Sequence, residues 1–259
     1  KLDSANPLIY ISIANCYDKL GSKSKSAEYY EKAIDIAPEN QEVLSSYAKS
    51  LSDSGKAEDA KTVYEQALSL PGAAEEEKFL YHCELGDAFY KNKNYNEALN
   101  EYKKALEIKN SDEILNIKLG NTYKALSDLN SAIDHYNAAI EINPENPDSY
   151  FNCGLCLAEK NKLEEAKEKF QKVILLKSNY EYAYYALGLA YEKENNIKEA
   201  VKNYQEFVKY SQDKNLKNSI QKKTAFLIKQ LKETEPAAAQ EIDAPQTEMQ
   251  IEAPAEKEQ

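Results

Sequence analysis

Residues 119–144 read LGNTYKALSDLNSAIDHYNAAIEINP, and the spacing inside this stretch decides the fold. Leu119, Gly120 and Tyr123 follow one face of a first helix. Ala132, Tyr136, Ala139 and Ile140 then recur at i, i+4, i+7 and i+8 on a second. Leu126-Ser127-Asp128-Leu129 supplies a short polar turn between them, and Asn143-Pro144 stops the second helix. The pattern repeats along the chain. Gly86, Gly120, Gly154 and Gly188 stand 34 residues apart, as do Ala98, Ala132, Ala166 and Ala200, and the aromatic series Tyr102, Tyr136, Phe170 and Tyr204. A fixed period of this size marks stacked helix–turn–helix units, each too small to bury its own apolar face. A glycine inside a helix costs roughly 1 kcal/mol against alanine. Four at one phase therefore point to close helix contact, with Gly120 and Ala132 letting two backbones approach and Tyr136 filling the space beside them.

These residues resemble the tetratricopeptide repeat, whose 34-residue pattern runs Trp, Leu, Gly, Tyr, then Ala, Phe/Tyr, Ala and Pro. With repeat position 1 at Glu113, Leu119 and Gly120 are positions 7 and 8, Tyr123 is position 11, and Ala132, Tyr136, Ala139 and Pro144 are positions 20, 24, 27 and 32. The same frame gives six units at 7–40, 41–74, 79–112, 113–146, 147–180 and 181–214, with 75–78 (Glu75-Glu76-Glu77-Lys78) as a four-residue insertion. At the front Ala14 and Ala48 replace the glycine and Ser26 the first alanine, small for small. The tryptophan place is held by Tyr10, Leu44, His82, Asn116, Tyr150 and Tyr184. The resemblance implies an all-α solenoid, a right-handed superhelix of helix–turn–helix repeats forming one domain over 1–233.

The ends fit such an array. Leu216, Ile220, Leu227 and Leu231 form an apolar stripe on a lysine-rich helix of about 215–233, placed to cap the sixth repeat. Its polar face carries Lys217, Lys222, Lys223, Lys229 and Lys232. Residues 234–259 hold three prolines, seven acids, one lysine and no aromatic, a composition that reads as a disordered acidic tail. That tail accounts for −6 of the formal net charge of −11. The body is thus only mildly acidic and shows no basic stripe, which argues against nucleic acid as a partner. No apolar run reaches membrane-span length. The chain opens on Lys1 rather than Met, so a fragment or processed form is expected. The compartment expected is cytoplasmic, with an exported form as the alternative.

Neither catalysis nor a cofactor is expected. No glycine-rich phosphate loop follows a strand, serines lack a paired histidine, and pairs such as Glu164-Glu165 suit helix starts. Cys153 and Cys156 form a Cys-x-x-Cys, but position 7 is a core position and buried cysteine behaves as a small hydrophobe. His82 and His135 are isolated, Cys16 and Cys83 are non-equivalent, and no metal site or disulfide framework is expected. Four cysteines without an evident disulfide framework suit a reducing compartment.

The resemblance places a ligand groove on the first helices, at positions 2, 5, 6, 9, 12 and 13. In repeats four to six the candidates are Ile114, Ile117, Lys118, Asn121 and Lys124, then Phe151, Asn152 and Leu155, then Tyr182, Tyr185 and Leu189. The apolar members are not demanded by the core at positions 4, 7, 8 and 11. They mark a partner surface, or else bridge adjacent first helices. Asn121 and Asn152 stand where family members hold an extended peptide backbone, since an amide both donates and accepts. The chaperone-binding carboxylate clamp is argued against, because Ile117, Tyr182, Ala186, Ile11, Leu80 and Glu84 occupy the places of its basic residues. Lys118 and Lys124 favour an acidic residue in the ligand. The function expected is a non-catalytic scaffold binding a peptide or helical segment with large apolar side chains. The alternatives are a substrate-recruiting arm of a larger enzyme and an exported envelope-assembly protein.

Overall fold

A computed structural model describes residues 6–72 and 74–234. Thirteen α-helices and no strand lie among the described residues: α1 Pro7–Lys19, α2 Lys23–Ile36, α3 Gln41–Asp53, α4 Ala57–Ser69, α5 Glu75–Lys91, α6 Tyr95–Ile108, α7 Glu113–Ala125, α8 Leu129–Ile142, α9 Pro147–Glu159, α10 Leu163–Leu176, α11 Glu181–Lys193, α12 Ile197–Tyr210 and α13 Lys214–Thr234. Odd and even members up to α12 are the first and second helices of the six repeats. The expected acidic tail, from residue 235 onward, lies outside the described residues.

Local chemistry sets the helix boundaries. Asn6, Asn40, Asp112, Asp128 and Asn196 cap α1, α3, α7, α8 and α12 by accepting a first-turn backbone N–H. The turn inside every repeat reverses through one left-handed residue. Gly21 and Gly55 have φ of 73° and 77°, and Lys93, Ser127, Asn161 and Asn195 hold 64°, 63°, 62° and 60° at the same repeat position. The turn geometry is therefore uniform although only two repeats spend a glycine on it.

Residues 75–78 are not a loop between repeats. They form the first turn of a 17-residue α5, where Glu75, Glu76 and Glu77 lie beside the positive helix end. The Glu77 carboxylate accepts from the Ala74 N–H at 3.0 Å and from the Gln41 amide at 2.7 Å. An insertion of about one helical turn lengthens the helix without shifting its packing face.

The contacts divide the chain into two compact units, residues up to Ser149 and from Tyr150 onward. In the first unit α1, α3 and α5 lie side by side, each against its own second helix. Its largest core runs from Leu44 through Tyr64, Phe89 and Tyr102 to Leu119, and a second gathers Ile11, Ala14, Tyr30, Ala33 and Val43. In the second unit α12 packs between α11 and α13. Ile220, Leu227 and Leu231 of α13 close over Val201, Tyr204 and Phe207, with Leu216 half-buried beside them. This is the expected cap. Lys223, however, is not merely a solvated lysine: its ammonium pairs with Glu192 of α11 at 2.6 Å, pinning the cap to the repeat it covers.

The phased glycines meet side chains rather than backbones. A β-carbon on Gly86, Gly120, Gly154 or Gly188 would lie 2.3–2.6 Å from a ring carbon of Tyr102, Tyr136, Phe170 or Tyr204. The glycine is the socket for the aromatic ring of its own repeat, which corrects the expectation that it brings two helix backbones together.

Candidate peptide-binding surface

A buried tyrosine hydroxyl at position 24 bonds to a first helix in every repeat except the fifth. At position 24 a buried tyrosine reaches to position 9: Tyr30 donates to Asn15, Tyr102 to Asp87 and Tyr136 to Asn121, each at 2.6 Å. Tyr64 donates instead to Glu84, and Tyr204 to Glu192 at 2.5 Å. Burial and the facing carboxylates Glu84, Asp87 and Glu192 push the Tyr64, Tyr102 and Tyr204 hydroxyls well above their ordinary range. Tyr30, raised chiefly by burial, moves up to about 12. In the fifth repeat the corresponding residues are Phe170 and Leu155, which form no such bond.

The candidate residues of the first unit lie on α7, and most are already engaged. Ile114 is 64% exposed and Ile117 is half-buried. Lys118 pairs with Asp87 at 2.7 Å and stands over the Tyr102 ring. Asn121 spends its side-chain oxygen on Tyr136. Lys124, half-buried in the last turn, has no ion pair among the described residues. An acidic ligand group would meet Lys124 more readily than Lys118.

In the second unit the candidates separate into packed and open ones. Phe151 is half-buried, with ring centroids 5.8 Å from Phe170 and 5.1 Å from Tyr180. Tyr185 leans on Tyr204 and Phe207 at 6.2 and 5.4 Å. Both therefore serve the packing of their repeats as well as presenting an edge outward. Tyr182 and Leu189 are 44% and 40% exposed, Leu155 and Asn152 are half-buried, and the Asn152 amide has no partner among the described residues.

Two histidines that look isolated in the sequence belong to a buried polar pair in each of two repeats. His82 Nδ1 lies 2.8 Å from Glu101, whose other oxygen accepts from Lys104 at 2.8 Å. Burial alone would raise the Glu101 carboxyl, but these two partners hold it below its ordinary value. One repeat later Asn116 takes the place of His82 and His135 the place of Glu101, with 3.0 Å between them. Position 4, where the family pattern has Trp, and position 23 have exchanged roles. Only spatial pairing reveals it. Cys153 and Cys156 are fully buried and not joined in a disulfide, and burial pushes the Cys153 thiol up to about 11. Among the described residues no group of three or more His, Cys, Asp or Glu side chains could hold a metal ion.

Comparison with known families agrees with this geometry. Models described as TPR repeat match residues 86–127 and 120–160, and models described as tetratricopeptide repeat match 8–40, 147–180 and 181–214. The chain belongs to the tetratricopeptide repeat family, an all-α helical-repeat class whose members are in general non-catalytic modules that bind proteins or peptides. Among solved structures it is similar to YrrB, described as a TPR protein with an unusual peptide-binding site, at 26% identity and a TM-score of 0.60 over 76% of this chain and 99% of that one. It is also similar in fold to the C-terminal part of a TPR repeat-containing protein from Cytophaga hutchinsonii, at 17% identity and a TM-score of 0.70 over 83% and 87% of the two chains. A third neighbour is MamA from Desulfovibrio magneticus RS-1, at 22% identity and a TM-score of 0.58 over 69% and 97%. A search of curated proteins finds no significant match. No helix among the described residues is long and apolar enough to cross a membrane.

Proposed function

We propose that the chain is a non-catalytic scaffold that binds a peptide segment of a partner protein on the first helices of its repeats, chiefly on α9 and α11. The observation that carries this reading is the open apolar surface there. Tyr182 and Leu189 are exposed, Leu155 is half-exposed beside them, and the unpartnered Asn152 amide offers one donor and one acceptor to a peptide backbone. Apolar side chains left in water on a helix that has already filled its core mark a surface whose partner is elsewhere. The likeness to YrrB, a TPR protein with an unusual peptide-binding site, supports the same assignment. Apolar burial at about 25 cal/mol per Å² must offset the ordering of a flexible ligand, so an affinity on the order of micromolar follows.

A photo-crosslinking amino acid at position 182 tests this. With the full chain in an extract of its own cells, residue 182 should give discrete protein adducts, and the same reagent at Glu168 on the exposed side of α10 should not. Adducts at 168 alone, or equal labelling at both, would remove the α9–α11 surface as the binding site.

A further inference from the structure

The break in the tyrosine row creates a site. Where Tyr136 and Asn121 fill the fourth repeat with a hydroxyl–amide bond, the fifth has only Phe170 and Leu155. A cavity of about 200 Å³ opens there, lined by Leu155, Ala158, Phe170, Ala186, Leu189 and Ala190. Its wall is almost wholly carbon, and the small side chains of Ala158, Ala186 and Ala190 leave the depth unfilled. An apolar cavity of roughly 150 Å³ accepts a group the size of benzene, so this one has room for a single leucine, methionine or phenylalanine side chain. At its rim stands Lys193, exposed, in the last turn of α11 and without an ion pair among the described residues. Two lysines of the neighbouring second helices are tied down: Lys167 bridges Glu164 and Glu194 at 2.8 and 2.6 Å, and Lys202 pairs with Glu199 at 2.8 Å.

We propose that this notch is the specificity pocket of the second unit, taking one bulky apolar side chain of the partner peptide while Lys193 pairs with a carboxylate next to it. The inference rests on the peptide-binding reading above and names its ligand class. Charge complementarity selects the neighbour, because a lone ammonium on the edge of an apolar pocket rewards an acidic residue and penalises a basic one. The first, third and fourth repeats cannot offer the same pocket, since a buried Tyr–Asn or Tyr–Asp bond occupies the equivalent space with polar atoms, and in the second and sixth a tyrosine hydroxyl stands at position 24 where the fifth has Phe170.

The sequence itself supplies the discriminating variant. Leu155→Asn with Phe170→Tyr rebuilds in the fifth repeat the pair found in the first and fourth, so folding should be retained while the notch becomes polar. Random dodecapeptides displayed on phage, panned against the immobilised full chain, serve as the probe. Selected peptides should share one Leu, Met, Ile or Phe within two residues of Asp or Glu. The strongest, made synthetically, should bind the double variant roughly tenfold or more weakly. Lys193→Glu should erase the acidic preference on re-selection. Circular dichroism and melting of both variants should match the parent. Peptides that bind parent and double variant equally, yet are lost on Tyr182→Asp, would keep the α9–α11 surface and overturn the pocket. Failure to select any peptide would overturn both. Self-association of the chain that the double variant abolishes would give the notch to a second copy and overturn the peptide assignment.

Discussion

The ring of Tyr136 occupies the space that a β-carbon on Gly120 would need: its Cε1 atom lies 2.6 Å from that position, well inside any ordinary van der Waals contact. The ring cannot swing away easily, because its hydroxyl is tethered to Asn121 and the side chain is fully buried. Gly120→Ala should therefore cost about 1–3 kcal/mol of overpacking against the roughly 1 kcal/mol that alanine gains as a helix former, a net destabilisation of up to about 2 kcal/mol. Gly154→Ala should cost less. Its neighbour Phe170 has no hydroxyl tether and borders an open cavity into which the ring can shift. Urea melts of the two variants rank them, and an equal or reversed order would mean that the tether does not hold the ring.

Ser26 sits where Ala60, Ala98, Ala132, Ala166 and Ala200 stand in the later repeats, and it is 1% exposed. Its hydroxyl has no hydrogen-bond partner among the described residues. A buried, unpaired hydroxyl is costly, and serine is a poorer helix former than alanine. Ser26→Ala should raise stability by about 1 kcal/mol, seen as a later thermal transition. An earlier transition would show that the hydroxyl is satisfied in solution.

The tyrosine row makes the fold sensitive to alkali. Tyr30, Tyr64, Tyr102 and Tyr204 all have ionisation raised above the ordinary value of 10, by burial first and by facing carboxylates second in Tyr64, Tyr102 and Tyr204. A raised value means that folding favours the protonated hydroxyl. The resulting stability is fully present below pH 10 and is lost as pH rises above it, through about 12 for Tyr30. With 20 tyrosines and no tryptophan, tyrosinate absorbance reports this directly. Exposed rings should titrate first, and the buried group should follow together with loss of helicity. A single unperturbed titration with helicity intact would contradict it.

Most of the fold was legible because its signal is periodic. The 34-residue spacing locates the helix pairs, and the stripe Ile220, Leu227 and Leu231 identifies the cap. The sequence could not distinguish an insertion between helices from an extension of one, because Glu75-Glu76-Glu77 suits either. Nor does a glycine announce what it makes room for, since the partner ring sits 16 residues away, at Tyr102 for Gly86. The polar pairs His82–Glu101 and Asn116–His135 were hidden for the same reason: each joins two helices whose facing positions only packing reveals. The candidate groove residues were chosen one position at a time. That method does not show that Lys118 and Asn121 are spent on Asp87 and Tyr136, or that Phe151 is braced by Phe170 and Tyr180. The notch had a visible trace, because Leu155 and Phe170 depart together from the polar pair Asn121 and Tyr136 of the repeat before. Recognising it required knowing that positions 9 and 24 touch.

Backbone amide mapping tests most directly whether partner peptides bind across α9 and α11. Isotope-labelled full chain should be titrated with the strongest selected dodecapeptide. Chemical-shift changes should concentrate at Asn152, Leu155, Tyr182, Ala186, Leu189 and Lys193 and should leave the exposed side of α10 and α12 unmoved. Saturable shifts confined to α10, α12 or α13, with α9 and α11 silent, would contradict it.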